Sequence, residues 1–345
     1  MRIGVDVMGG DHAPEAVLKG AVSALELLAP TDELVLVGPQ DIIEEILREH
    51  RVSDPRIAIE PASERIEMHE KPAQAVRAKR DSSIVRMAQL GTPKHPRPAD
   101  VVLSAGNTGA CVSAGIMHMK RMKGVHRPGI AVTIPAFYGP VVLCDAGANP
   151  EPTAAHLWQY GVMAGTYAQH LHSIESPRVA ILNIGAEEGK GSDLVRRAHD
   201  LFKQTPGMNY VGFIEGRDLF DGAADVVVTD GFVGNATLKM AEGLAVSLLK
   251  AIAHEITEID PSLMLQFEPI VKRIYKKNDY HEYGGAPLLG VNGALMIAHG
   301  SSEPRTIRAA IRNARDFVAT GVNDRIRRRL AELDDLPAHH QQESA

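Results

Sequence analysis

The chain has 345 residues, of which 44% are hydrophobic and 23% charged, and carries a formal net charge of -6. That is the balance of a soluble globular protein with a sizeable core. The acidic surplus excludes general nucleic-acid binding, which needs a strong basic excess. With two cysteines, Cys111 and Cys144, and no CxxC pair, a disulfide framework or a thiolate zinc site is excluded too.

The N-terminal MRIGVDVMGGDH begins as an apolar strand and then turns, without the long apolar stretch of a secretory signal. No apolar run is long enough to span a bilayer, so a reducing, cytoplasmic setting is expected. After this strand come the helical period APEAVLKGAVSALELL, the strand ELVLVG, the helix DIIEEILREH and the strand RIAIE. DVVLSAG then enters the turn GNTGA, and helix-like CVSAGIMHMKRM leaves it. The strands IAVTIP and VVLCDAG precede the helix HLWQYGVMAGTYAQHL. RVAILNIG, the helix DLVRRAHDLFKQ, MNYVGFIEG, ADVVVTDG and the long helix ATLKMAEGLAVSLLKAIAHEI complete the alternation. Several strands are apolar throughout, as strands covered by helices on both faces must be. An α/β sandwich with a largely parallel sheet is predicted. No low-complexity linker or internal repeat divides the chain, so residues 1–330 are expected to form one intertwined domain. The polar tail 331–345 is expected to be disordered.

Five polar, glycine-bearing turns follow strands or open helices: VDVMGGDHAP, LSAGNTGA, LNIGAEEGKGS, VVTDGFVGN and IAHGSSEP. Ligands of open α/β sheets sit beyond the carboxyl ends of the strands, so these turns are expected to converge there. The strand–turn–helix at Gly106, Asn107, Thr108 and Gly109 is suited to aiming backbone N–H groups at an anion.

Familiar motifs fail. No GxGxxG follows a strand, and GAEEGKGS has three residues between its glycines and Gly191 where a P-loop needs Ser or Thr. VLSAG and CVSAG lack the first glycine of a serine-nucleophile elbow. Cys111, in the first turn after GNTG, is read as a small buried residue in preference to an activated thiol. Lys190, after a strand's carboxyl end, is either a solvated lysine or a ligand-binding one. Asn235 is expected at the N-cap of a long helix, where its amide either caps or faces a substrate oxyanion.

The stretches DVMGGDHAP, EKPAQAVRAKRDSS, SAGNTGA, GVHRPGIA, LCDAGAN, LNIGAEEGKG, GFIEGRDL, DVVVTDGFVGNATLK, YGGAPLLG and AHGSS span residues 3 to about 317. In that order they resemble the bacterial phosphate acyltransferases of phospholipid synthesis, the PlsX family. The resemblance implies a three-layer αβα, Rossmann-like core akin to phosphotransacetylases and to isocitrate and isopropylmalate dehydrogenases, with a helical protrusion about 240–283. It implies a homodimer that moves a long fatty acyl group from acyl carrier protein to inorganic phosphate. The acyl phosphate then feeds a glycerol-phosphate acyltransferase, and no metal or organic cofactor is needed. Carried onto this chain, the resemblance makes Lys190 and Asn235 the catalytic candidates.

That chemistry asks little of a base, because phosphate is already largely dianionic near neutral pH and a thiol can leave as thiolate. What remains is to hold an anion against a thioester and stabilise its carbonyl oxygen. Gly106, Asn107, Thr108 and Gly109 are assigned to phosphate. Asp6, Gly9, Gly10, Asp11 and His12 are assigned to the wall beside it, although the three polar ones serve equally as turn ties. Asp230 is expected to orient the Asn235 loop, with Asp145 and Asn149 doing similar work. His299, Ser301 and Ser302 precede the helix EPRTIRAAIRNARDFV, where a serine cap is the first explanation and anion binding the second.

Two basic patches are candidate docking sites for an acidic carrier protein: Lys120, Arg121, Lys123 and Arg127, and the stripe Arg305, Arg308, Arg312 and Arg315. The segment PSLMLQFEPIVKRIYKK sets Phe267, Ile270, Val271 and Ile274 beside Lys272, Arg273, Lys276 and Lys277, a pattern that suits an anionic membrane or a dimer interface. The rival readings are a coenzyme A-dependent phosphotransacetylase, a decarboxylating NAD-dependent dehydrogenase of similar fold, and a membrane-bound scaffold.

Overall fold

All nine predicted strands form: β1 (Arg2–Asp6), β2 (Glu33–Gly38), β3 (Ile57–Pro61), β4 (Val101–Ser104), β5 (Gly129–Ile134), β6 (Val141–Cys144), β7 (Val179–Leu182), β8 (Tyr210–Ile214) and β9 (Val226–Val228). Two short ones, β10 (Ala286–Leu289) and β11 (Leu295–Ile297), were not predicted. The structure is a computed structural model that describes residues 1–263, 267–270, 273 and 283–333. Its strands join in one sheet of order β3-β2-β1-β4-β11-β10-β5-β6-β9-β7-β8.

Seven of the ten pairings are parallel, as the apolar runs required. The other three, β11–β10, β10–β5 and β5–β6, are antiparallel. Three successive reversals make the block β6-β9-β7-β8 run opposite to the block β3-β2-β1-β4-β11. The carboxyl ends of the two blocks therefore point to opposite edges of the sheet. The expectation that every turn would meet at one edge is corrected by this topology.

Helices cover both faces. On one lie α1 (Glu15–Ser23), α2 (Gln40–Glu49), α6 (Ala154–Leu171), α7 (Asp193–Lys203), α9 (Pro304–Ala319) and α10 (Val322–Glu332). They enclose a core that includes Leu18, Ile43, Trp158, Phe202, Ile311 and Leu330. On the other face α3 (Pro72–Ala78), α4 (Ser83–Leu90) and α5 (Thr108–Ala114) bury Ile84, Met87, Cys111 and Val102. A smaller cluster, with Leu143, Leu219 and Val227, occupies that face of the second block.

α8 (Gly231–Ile259) is the longest helix described, and its 29 residues span about 43 Å. Gly231 and Gly234 are buried at its start, whereas Met240, Leu244, Leu248 and Ile252 are exposed further along. α10 ends at Glu332 and Leu333 is buried, three residues beyond the expected boundary at 330. The tail from residue 334 lies outside the described residues, as do Val271, Lys272, Ile274, Lys276 and Lys277 of the expected membrane segment. Phe267 and Ile270 of that segment are exposed on a helical stretch.

Candidate active site

Asp6 ends β1 with no exposed surface and accepts the Ser104 hydroxyl at 2.6 Å from the end of β4. Ser104 Oγ in turn accepts the N–H of Gly106 at 3.0 Å. Burial pushes the Asp6 carboxyl above the ordinary carboxylate range, against the Ser104 and Ser83 hydroxyls and the Met8 and Gly9 amides. Asp6 thus lies under the loops and ties them, instead of lining the cleft. A Cβ on Gly9 would stand 2.6 Å from Gly106 N and 2.7 Å from Asp6 Oδ2, so only glycine lets the β1 and β4 turns lie this close. The β11 turn joins them through the Asp11 N–H, which donates to Gly300 O at 2.8 Å. His12 is exposed, and its carbonyl accepts the N–H of Ala16 at 3.0 Å.

Asn107 is nearly buried and its side chain is fully engaged. Its Oδ1 accepts the Ala110 N–H at 3.1 Å, which caps α5, and its Nδ2 lies 3.1–3.3 Å from the carbonyls of Glu67, Met68 and Glu70. The side chain therefore builds the loop. The N–H groups of Thr108 and Gly109 have no acceptor among the described residues, as expected in a helix's first turn. Cys111 behind them is fully buried, and burial drives its thiol up to about 12. The buried-residue reading of Cys111 holds.

The second cluster forms where β6 and β9 end. Buried Asp145 accepts the N–H groups of Ile130 (2.9 Å), Gly147 (3.2 Å), Ala148 (3.0 Å) and Asn149 (2.6 Å). Burial outweighs those bonds and raises its pKa. Asn149 Nδ2 donates to Pro128 O and Tyr160 Oη, both at 2.7 Å. Both residues hold the loop on which α8 rests. Asp230 Oδ1 accepts the Val233 N–H at 2.8 Å and is the N-cap of α8. Asn235 therefore stands in the second turn and not at the cap. Its exposed amide engages no described partner, beside Gly147, where a Cβ would approach Asn235 Cβ at 3.6 Å.

α8 connects the two clusters. Lys239 lies one turn beyond Asn235 on the same helix face, and its Nζ meets His299 Nε2. His299 Nδ1 lies 2.7 Å from Ser301 Oγ. Ser302 is buried, and its hydroxyl donates to His299 O at 2.5 Å. Neither serine caps α9, whose N-cap is Glu303 without a side-chain bond. Lys239 was missed because nothing in its local sequence separates it from a solvated helix lysine; only the fold brings it to His299.

Lys190 occupies the exposed turn after β7, next to the β9–α8 turn in strand order, and no ion pair involves it among the described residues. The turn is shaped by Asn183, whose Nδ2 donates to Gly185 O at 3.1 Å and Lys190 O at 3.2 Å. No hydrogen bond or ion pair links the Lys190 side chain to Asn235 or to the β4–α5 loop among the described residues. The two basic patches also separate. Arg305, Arg308 and Arg315 pair with Glu303, Glu26 and Asp32, whereas Lys120, Arg121, Lys123 and Arg127 are exposed with no carboxylate pair among the described residues.

The architecture is that of the phosphotransacetylases. A phosphotransacetylase from Streptococcus pyogenes superimposes with a TM-score of 0.61 over 92% of this chain and 94% of its own, at 18% identity. Sequence comparison is more specific. A model of the fatty acid synthesis protein family matches residues 1–325. A phosphate acyltransferase of Desulfitobacterium hafniense is 44% identical over 96% of this chain and 98% of its own length. One of Dictyoglomus turgidum is 41% identical over 97% and 99%. The chain belongs to this family, the PlsX phosphate acyltransferases, and is an acyltransferase.

Proposed function

We propose that the enzyme transfers a long-chain fatty acyl group from acyl carrier protein to inorganic phosphate, giving an acyl phosphate for phospholipid synthesis. One observation carries the reading: the turns and α8 present donors and a cation while the buried carboxylates beneath them are consumed by structure. Asn235 and Lys239 follow one another on α8, and Lys239 reaches the His299–Ser301 pair of the β11 turn. The N–H groups of Thr108 and Gly109 in the neighbouring β4–α5 turn have no acceptor among the described residues, whereas Asp6 and Asp145 are tied beneath their loops. Such a site suits a reaction whose nucleophile arrives already ionised.

A phosphate oxygen attacks the thioester carbonyl carbon, a tetrahedral oxyanion forms, and the C–S bond breaks to release the carrier thiolate. The Asn235 amide donates to the oxyanion, and Lys190 from the neighbouring turn neutralises phosphate or oxyanion charge. The exposed cations Lys120, Arg121, Lys123 and Arg127, without a carboxylate partner among the described residues, receive the acidic carrier protein. The protein acts as a homodimer that touches the membrane peripherally, where a glycerol-phosphate acyltransferase consumes the product. No described helix is long and apolar enough to cross that membrane.

Hydroxylamine trapping tests the reaction. Purified enzyme, phosphate and palmitoyl-acyl carrier protein should yield acyl hydroxamate, with little from palmitoyl-coenzyme A. Equal or better use of the coenzyme A thioester would favour a phosphotransacetylase, and no hydroxamate from either donor would refute acyl transfer to phosphate. Lys190→Ala and Asn235→Ala should fold normally and lose about a hundredfold to a thousandfold in rate.

A further inference from the structure

Lys239, His299 and Ser301 form a contact chain from α8 to the β11 turn that the reaction chemistry leaves unassigned. Lys239 Nζ meets His299 Nε2, and His299 Nδ1 lies 2.7 Å from Ser301 Oγ. An ammonium has only donors, so the ring nitrogen facing it must be bare. The ring proton of neutral His299 is then on Nδ1 and is donated to Ser301 Oγ, which leaves the serine's own hydrogen free to point elsewhere. This tautomer forgoes the Ser301 N–H, which points at Nδ1 from 3.2 Å; the other tautomer would accept it but set a ring N–H against the ammonium, the costlier conflict because the ammonium is charged. Although His299 keeps exposed surface, the protein packed around it and then Lys239 lower its pKa, against the opposing pull of Glu242 and Asp11. Glu242 is only loosely paired with Lys239, at 3.4 Å, and an exposed pair of that kind contributes little.

We propose that Lys239 is a positioning residue which fixes the tautomer of His299, so that the Ser301 hydroxyl donates its hydrogen to a non-attacking oxygen of the bound phosphate. Resting on the phosphate acyltransferase reading, this adds a specificity device for the acceptor. The lysine of the long helix and the hydroxyl of the β11 turn act as one unit joined by the imidazole. Phosphate is also the ligand whose charge Lys239 would favour from behind the ring.

The test uses full-length Lys239→Met, Lys239→Arg, Ser301→Ala and the Lys239→Met/Ser301→Ala double variant. Each is assayed for hydroxamate formation and for the shift of Tm produced by inorganic phosphate. Lys239→Met and Ser301→Ala should each raise the phosphate KM by about tenfold to a hundredfold, the range for a hydrogen bond to a charged group. The acyl-donor KM should be unchanged, and the phosphate-induced Tm shift should shrink in step. Lys239→Arg should restore most of the loss, and the double variant should be no worse than the poorer single one. A phosphate KM within about twofold of wild type for Ser301→Ala, or a double-variant effect equal to the product of the singles, overturns the relay. Ser301 is exposed, so Ser301→Ala keeps the test alive should Lys239→Met fail to fold. Wild-type enzyme that neither forms hydroxamate nor gains Tm with phosphate defeats the functional reading; wild type that does both, with unaffected variants, defeats the relay alone.

Discussion

Asn107 belongs to the glycine turn that most suggests phosphate, yet its side chain is committed to protein. Asn107→Ala removes the cap on Ala110 N, worth about 1 kcal/mol. It also removes a donor group set against three carbonyls. An NH₂ has two hydrogens, so two full bonds are lost there, at about 1 kcal/mol each. The expected loss of stability is about 3 kcal/mol. Asn107→Asp is the sharper probe: it keeps the capping oxygen but sets a carboxylate against the carbonyls of Glu67, Met68 and Glu70. Its loss should match or exceed that of the alanine variant, although aspartate is ordinarily as good a cap as asparagine. Urea unfolding reads both, with the slope unchanged and the midpoint lowered. If Asn107→Ala is destabilised by under about 0.5 kcal/mol while its phosphate KM rises sharply, the scaffold assignment is wrong and the side chain faces the ligand.

Gly234→Ala should give little folded protein, because its Cβ would fall on the Asp145 carbonyl oxygen and neither backbone can yield; soluble yield and Tm check this. Native enzyme should resist thiol reagents at pH 8, since burial drives Cys111 up to about 12 and Cys144 well above the ordinary thiol range. Two thiols should appear only on denaturation, and a fast native titre would contradict the burial. His156 is pushed down to about 4, by burial first and then by the cations around it. Its folded pKa lies below the unfolded value, so its stabilising contribution is complete above about pH 6.5 and is lost as pH falls toward 4. His156→Gln should therefore show a flatter dependence of urea midpoint on pH across that window. Charge reversal at Lys123 and Arg127 should raise the KM for acyl carrier protein and remove its salt sensitivity, whereas Arg308→Glu, which breaks a pair with Glu26, should change Tm more than KM.

The strands were legible because each is a short run rich in apolar residues, most of them closed by a glycine turn, and strands buried on both faces have no alternative composition. β10 and β11 escaped because three or four residues of APLL and LMI carry too little periodicity to read. α3 and α4, cut from one polar-looking stretch by the Lys79–Ser82 turn, escaped for the same reason. The cap of α8 was misplaced by five residues. TDGFVGN offers Asp230 and Asn235 as rival caps, and buried Gly231 and Gly234 let the helix begin at the first. The site residues of the turns were legible by type but not by role. Asp6, Asn107 and Asp145 look like ligands in sequence because the side chains that hold a glycine turn are those that would hold an anion.

The opposed strand blocks explain why α8 matters more than its sequence suggests. In a sheet running one way, turns meet at one edge without help. Here the Asp145 and Asp230 turns belong to one edge and the Asn107 and Gly300 turns to the other. Nine residues of helix, about 13 Å from Asp230 to Lys239, connect them. Anchoring at Asp230 and Gly234 is rigid, because carbonyl and carboxylate groups of the Asp145 loop press on the helix backbone. The direction of α8 is thus set at one edge, where Asn235 stands beside Gly147, and its Lys239 side chain is delivered to the other. A change at the Asp145 loop that left both clusters folded would still move Lys239 relative to His299, so this contact depends on residues that take no part in it.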